Sequence, residues 1–395
     1  MTTLLPVPAG GALRAPGVRE SNAAAVLAAA RLAGPLSRAS IAARTELSMP
    51  TVSRQVAALV EAGLLHELPE LATAGSIGRP RVPVDVNDRV IAACGVHVGV
   101  STTTYGLADL RGRLLDSERV ATPAGPPGEA FAQLAGRIRA FLRRWSDRRV
   151  VGIGLATGGR VDAVNGLLDH DRLGWRRVPA RELLASATGL PVHLDGHVPA
   201  MATAELLFGP WNQPRSLLYF YARQVVGIAL AMDGRLHRGP GPDGSVAHLP
   251  VGGDEPCPCG RTGCLEVTVA EETVVRKAFQ AGVIPEPRIS MLQAAADAGE
   301  PEAVRLLDER ANTLGRAVAM LRDIVNPDLI VLGGQAVTDS PSRFGELLRG
   351  FAGRTALPGT DLVTVTRFGQ DVQAIAACTG VLRQLYDYPF GTLAS

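Results

Sequence analysis

The chain has 395 residues, too many for one compact core, and its 46% apolar content is ample for two or three packed domains. A formal net charge of +2, with the positive charge carried almost wholly by arginine because Lys277 is the single lysine, points to no selected polyanion surface and says little about nucleic acid, which is left to local arrangement. The opening MTTLLPVPAGGALRAPG lacks a signal-peptide core and no apolar run reaches membrane-spanning length, while five cysteines, with Cys94 and Cys378 isolated in apolar strings, fit a reducing cytoplasm.

Residues 1–17 read as a Pro/Gly-rich tail. Alanine propensity then predicts a helix over 20–33, stopped by Gly34-Pro35. A second helix fits SRASIAART, with Ser37 as N-cap, and ends before Glu46-Leu47. A third begins at Ser48, carries Pro50 in its permissive first turn and runs to Gly63. Val52, Val56 and Leu59 form its inward stripe. That assigns Thr51, Arg54 and Gln55 to the outer face, with Ser53 at its flank, where a recognition helix meets a major groove. Ser37 and Arg38, at the start of the second helix, are counted with them among the DNA contacts.

LLHEL and RVPVDV read as two short strands joined by ATAGSIGRP, the shape of a wing. At the loop's end, Arg79 and Arg81 could enter a minor groove; the same Gly78 to Arg81 string also suits a linker turn. Residues 1–84 hold eight arginines against five glutamates, a modest basic balance. The expectation is a winged helix-turn-helix domain over 18–87.

From Val90 the pattern turns to strands, with VIAACGVHVGV, STTTYGLADL and RLLDSERV suited to an antiparallel meander. Alternation continues with the helix EAFAQLAGRIRAFLRRW, the strand VVGIGLAT, helices near ARELLASA and MATAELLFG on either side of VHL, and a hairpin in SLLYFYARQVVGIALAM. Farther on come the long helix EAVRLLDERANTLGRAVAMLRDIV, the strand DLIVLGG and a closing pair around LVTVT and VQAIAACTGVLRQLY. The body, 88–395, is therefore α/β.

Within it lies HLPVGGDEPCPCGRTGCLE. His248, Cys257, Cys259 and Cys264 have the types and spread of a closed zinc site, and the surrounding prolines and glycines forbid helix and require a staple. A structural Zn2+ supplies one; unconnected thiols beside a satisfied histidine, or a disulfide, are the alternatives.

The string SRASIAARTELSMPTVSRQVAALVEAGLL, the turn GRP, LATGGRVDAVNGLL, the cysteine string ending GCLE and NPDLIVLGG together resemble the ROK (repressor, open reading frame, kinase) family over most of residues 18–388. The resemblance implies a two-lobed, actin-like sugar-kinase fold, preceded in repressor members by a winged helix-turn-helix. It also implies where a kinase would keep its acids. The D-x-G-x-T loop of the family corresponds here to His97-Val98-Gly99-Val100-Ser101, and its catalytic Asn-Asp pair, counted back from Glu205, to Gly196 and His197. His197 could serve as a base or be an ordinary histidine. Gly333-Gly334 is retained, which a tight strand-to-helix turn explains equally well. Glu-x-x-His becomes Ser245-Val246-Ala247-His248, while Glu266 is kept. By resemblance His248, Glu266, Gly196, His197 and Ser245 would face a ligand, or His248 and Glu266 merely brace the zinc loop.

These readings lead to a cytoplasmic DNA-binding transcriptional regulator, expected to be a repressor and a homodimer or homotetramer on operator DNA. Its kinase-like body would have no catalytic residue and would sense a sugar, another metabolite or a partner. The alternatives are an ATP-dependent sugar kinase with an added DNA-binding domain, or a DNA-bound scaffold without a ligand.

Overall fold

The computed structural model describes residues 17–72, 82–211, 214–238 and 245–394. Arg79 and Arg81, with the rest of the loop between the two short strands, lie outside the described residues. The chain divides into two compact units, Met1–Phe208 with Gln373–Ser395, and Gly209–Val372.

The first unit opens with three helices, Val18–Ala33, Arg38–Thr45 and Met49–Glu61. Local chemistry fixes their ends. Ser37 Oγ accepts from Ser40 N at 3.1 Å, Glu46 closes the second helix in the left-handed region at φ 56°, and Ser48 caps the third by accepting from Thr51 N at 3.4 Å. Ala23, Val26, Leu27 and Ala30 are fully buried, as are Ile41, Val52, Val56 and Leu59. Strands Leu65–Glu67 and Val84–Val86 pair antiparallel with Leu65 opposite Val86, and Leu36 adds a bridge to Val84 that the sequence did not announce.

One reading needs correction. Gln55 is 4% exposed and belongs to the inward side of the third helix. It stands three residues after Val52 and four before Leu59, so the helical repeat carries it onto the apolar stripe whatever its polarity. Its Oε1 is buried without a hydrogen-bond partner among the described residues.

Next comes a five-stranded sheet in the order Val192–Gly196, Arg149–Thr157, Ile91–Val98, Thr102–Asp109 and Leu114–Ala121. The first three run parallel and the last two complete the expected meander. Helices Pro127–Leu142 and Ala180–Thr188 cover one face, burying Phe131, Phe141, Tyr105 and Leu184.

On the other face lies the helix Val372–Asp387, and its approach is set by glycine. Gly95 pairs with Gly106 on one neighbouring strand and Gly154 on the other, giving a row without side chains. A methyl at Gly95 would stand 2.7 Å from Cys378 N, one at Gly106 2.8 Å from Ala374 O, and one at Gly154 would collide with the Ala377 carbonyl. The helix backbone therefore rests directly on the sheet. A small antiparallel sheet, Arg160–Asp162, Leu167–His170 and Trp175–Val178, follows the strand Arg149–Thr157 and was not anticipated.

The C-terminal helices also hold the first helix. Arg31 donates to Leu207 O and its guanidinium lies 5.0 Å from the Tyr386 ring centroid, while Tyr386 donates its hydroxyl to Leu110 O at 2.6 Å. Glu20 Oε1 accepts from Phe390 N and Gly391 N at 2.8 and 3.1 Å.

The second unit has a sheet in the order Arg235–Leu236, Val226–Met232, Ser216–Ala222, Leu329–Gly333 and Val363–Val365, mixed in direction. The 25-residue helix Pro301–Val325 packs with Phe344–Ala352 over Leu218, Phe220, Ile330 and Leu332. Gly334, at φ 89°, turns out of the strand against the Ala222 carbonyl, where a side chain would collide.

Candidate metal centre, reading helix and histidine cluster

The thiol loop is built by backbone pairing around four glycines. Val251 N bonds Gly263 O, Gly263 N bonds Glu255 O, Cys257 N bonds Arg261 O, and Leu265 N bonds Leu249 O. Gly260 and Gly263 take φ 86° and 65°, conformations that let the chain fold Cys257, Cys259 and Cys264 back toward His248. The four donor atoms lie within 4.8 Å of one another. Cys257 Sγ is 3.5 Å from His248 Nδ1, and Cys259 Sγ is 3.7 Å from Cys264 Sγ.

Those spacings can be set against the geometry that each staple requires. A tetrahedral zinc with bonds of about 2.3 Å to sulfur and about 2.05 Å to nitrogen separates two sulfurs by about 3.8 Å and sulfur from nitrogen by about 3.6 Å. The observed distances fit. A disulfide needs about 2.05 Å, and all five cysteines are free. Arg261, hydrogen-bonded to Cys259, lowers that thiol to about 6, favouring the thiolate a metal requires. Behind the loop, buried Glu255 pairs with Arg276 at 2.7 Å and with Lys277 at 2.9 Å.

Glu266 follows Cys264 at the start of the helix Leu265–Val269, so the loop fixes its position. Its Oε2 accepts from Val226 N at 3.1 Å. Ser245 is exposed, with Oγ accepting from Ala247 N at 3.3 Å. His248 turns Nδ1 toward the thiols.

On the third helix, Ser53 and Arg54 are exposed, with Met49 and Pro50 beside them at the capped end. Thr51 is half-buried and its hydroxyl is held by Ser48 Oγ at 2.9 Å. Ser37 likewise spends its oxygen on its own helix, and Arg38 pairs with Glu67 at 2.6 Å. The outward face therefore narrows from the sequence expectation to Ser53 and Arg54, with Gln55 removed and Met49 and Pro50 added. The helical repeat would have disclosed both changes.

Gly196 ends the strand Val192–Gly196 and His197 begins the helix His197–Phe208. The His197 ring stacks on that of His97, centroids 5.8 Å apart and planes 12° from parallel. His97, next to last in its strand, is 3% exposed. A third imidazole, which sequence reasoning missed, joins them: a methyl at Gly158 would touch His170 Nε2 at 3.7 Å and His197 Nδ1 at 3.8 Å. Burial and the neighbouring His170 lower His197 to about 4, and burial lowers His170 as well. No local spacing links His170 to His97 or His197, since a separate small sheet delivers it.

Comparison with known proteins agrees with this architecture. The ROK family matches residues 93–349. A transcriptional regulator of Mycobacterium tuberculosis is 43% identical over 388 residues, covering 95% of this chain and 88% of that protein. The xylose repressor of Caldicellulosiruptor bescii is 28% identical over 330 residues, 79% of this chain and 81% of that one. Among solved structures, a ROK family transcriptional regulator homologous to the Escherichia coli MLC protein has a TM-score of 0.80 at 23% identity, covering 96% of this chain and all of the other. The ROK hexokinase of Thermus thermophilus has a TM-score of 0.60 at 28% identity, over 73% and 97%. The chain belongs to the ROK family, whose α/β, actin-like sugar-kinase fold its two mixed sheets reproduce. Among the described residues no helix is long and apolar enough to cross a membrane.

Proposed function

We propose that this chain is a DNA-binding transcriptional regulator of the ROK family, acting as a repressor in the cytoplasm. In this reading residues 18–87 form a winged helix-turn-helix whose third helix presents Ser53 and Arg54 to the major groove, while Ser37, Arg38 and Thr51 set that helix against the backbone. Arg79 and Arg81 would follow the wing into the minor groove. Residues 88–395 form the body that senses a metabolite and assembles with one or three further copies, so that two reading helices address an operator together.

The observation that carries the reading is the stacked pair His97 and His197. A phosphotransferase needs carboxylates to organise magnesium and to accept the hydroxyl proton, and at the two positions the family resemblance assigns to them this chain has imidazoles. The similarity to the mycobacterial regulator, which spans nearly the whole chain, supports the same conclusion.

The donor set fits a structural zinc, held by His248, Cys257, Cys259 and Cys264. Bound there, the ion would cross-link an irregular loop that has almost no core of its own. The loop in turn orients Glu266, which with His248, Ser245, Gly196 and His197 forms the proposed ligand-facing set.

Coupling from body to DNA has a physical route within the first unit. The strand bearing His97 lies under the helix Val372–Asp387, and Tyr386 of that helix carries Arg31 of the first helix. Mapping bound sites genome-wide tests the regulator reading, and absence of preference for any promoter fragment over random duplex would refute it. The kinase alternative draws on the Halalkalibacterium halodurans glucokinase, 30% identical over 61% of this chain and 79% of that one; ordinary turnover with ATP, magnesium and a hexose would establish it instead.

A further inference from the structure

The imidazole cluster of the first unit is used neither by the zinc loop nor by the reading helix. It sits where an α/β sheet places its ligands, at the carboxyl ends of parallel strands. His97 stands at the end of Ile91–Val98, Gly158 just past Arg149–Thr157, and His197 just past Val192–Gly196. We propose that His97, His170 and His197 form an oxyanion-binding site, taking a carboxylate or phosphate of the effector; this rests on the sensor reading above and names the ligand's chemical class.

Three observations carry it. First, His170 is 5% exposed, and its Nδ1 is buried without a hydrogen-bond partner among the described residues, while its Nε2 and the His197 Nδ1 converge on Gly158. The His170 and His197 rings thus meet at the strand ends, over a glycine whose missing side chain leaves room beside them. Second, the surrounding groups supply donors in excess of fixed negative charge. His197 opens a 12-residue helix, whose first turn attracts anions. Of the nearby acids, Asp171 faces His170 together with Arg172 but pairs with Arg176 at 2.6 Å, and Asp169 accepts from Arg177 N. Asp195 accepts from Gly196 N, and Glu205 lies two turns farther along the helix. Third, the only set of three or more donors gathered within 4.8 Å among the described residues is the one at His248. The imidazoles are spread too widely for a single ion and suit a group of several atoms.

The chemistry of such a site is a coupled protonation. A bound oxyanion stabilises the imidazolium form, so binding takes up protons and strengthens as pH falls. A neutral sugar has no such effect.

The test uses the whole chain, histidine-labelled for NMR, with inorganic sulfate as probe because it remains a dianion throughout, and with glucose as the neutral control. Sulfate should shift the His170 and His197 ring resonances saturably and bind at least about fivefold more tightly near pH 6 than near pH 8. Its binding heat should vary with the buffer's ionisation enthalpy. His170→Gln should abolish the response; the pH and buffer dependence of the unaltered chain stands independently if that variant fails to fold. An absent or pH-independent histidine response overturns the proposal. Binding to enriched promoter fragments, measured on the same sample, separates the two readings: retained DNA binding without a histidine response removes the oxyanion site alone.

Discussion

Arg31 lies over the ring of Tyr386, 5.0 Å from its centroid, and donates to Leu207 O, so the first helix is keyed to two helices of the body rather than tethered by a linker. Arg31→Ala removes a charged hydrogen bond and a cation–π contact. The expected loss is about 2 to 4 kcal/mol of unfolding free energy, read from urea denaturation. Arg31→Lys should recover only part of it, because an ammonium cannot reproduce the flat guanidinium stack.

The glycine row makes a contrasting pair of variants. Gly154→Ala drives a methyl into the Ala377 carbonyl and should destabilise by about 3 kcal/mol or more. Gly136→Ala, in the helix Pro127–Leu142 with open space around it, should stabilise by about 0.5 to 1 kcal/mol. Equal effects of the two on the melting temperature would disprove the close helix-to-sheet contact.

Much of this was legible because it is local. Ser37, Ser48 and Gly63 mark helix ends through chemistry within four residues, and the cysteine string gathers its thiols within eight positions. Gln55 was misplaced by giving polarity precedence over the helical period. The bridge from Leu36 to Val84, the approach of His170 to His197 and the seating of Ala374, Ala377 and Cys378 on Gly95, Gly106 and Gly154 join residues far apart in sequence, and no single-segment pattern encodes them.

At the operator, Arg54→Ala should cost about 1 to 3 kcal/mol if the guanidinium reads a base, with the loss concentrated on particular sequences. Gln55→Leu should leave operator affinity unchanged and hold or raise stability, since it removes a buried carbonyl oxygen lacking a partner. Binding curves on matched and mismatched duplexes distinguish the two.

Metal analysis should find one zinc per chain, released by a strong chelator with a fall in melting temperature. Cys259→Ser should reproduce that fall and weaken zinc retention, while Cys94→Ser, at a thiol buried in the sheet core of the first unit and outside the donor cluster, should retain the ion.

Stability should depend on acid through His197. Its ordinary value is about 6.5 and its folded value about 4. The unfolded chain therefore takes up a proton first, and the contribution is complete above about pH 6.5 and lost as pH falls toward 4. His170, shifted the same way, adds to the slope. His197→Asn should flatten it in denaturation series across that window.

The pairing of Lys277 with Glu255 has a practical corollary. As the chain has no other lysine, an amine-directed dye or cross-linker has a single side-chain target, paired with Glu255 of the thiol loop. A fluorophore attached there would report on the second unit alone, with no competing label elsewhere on a side chain.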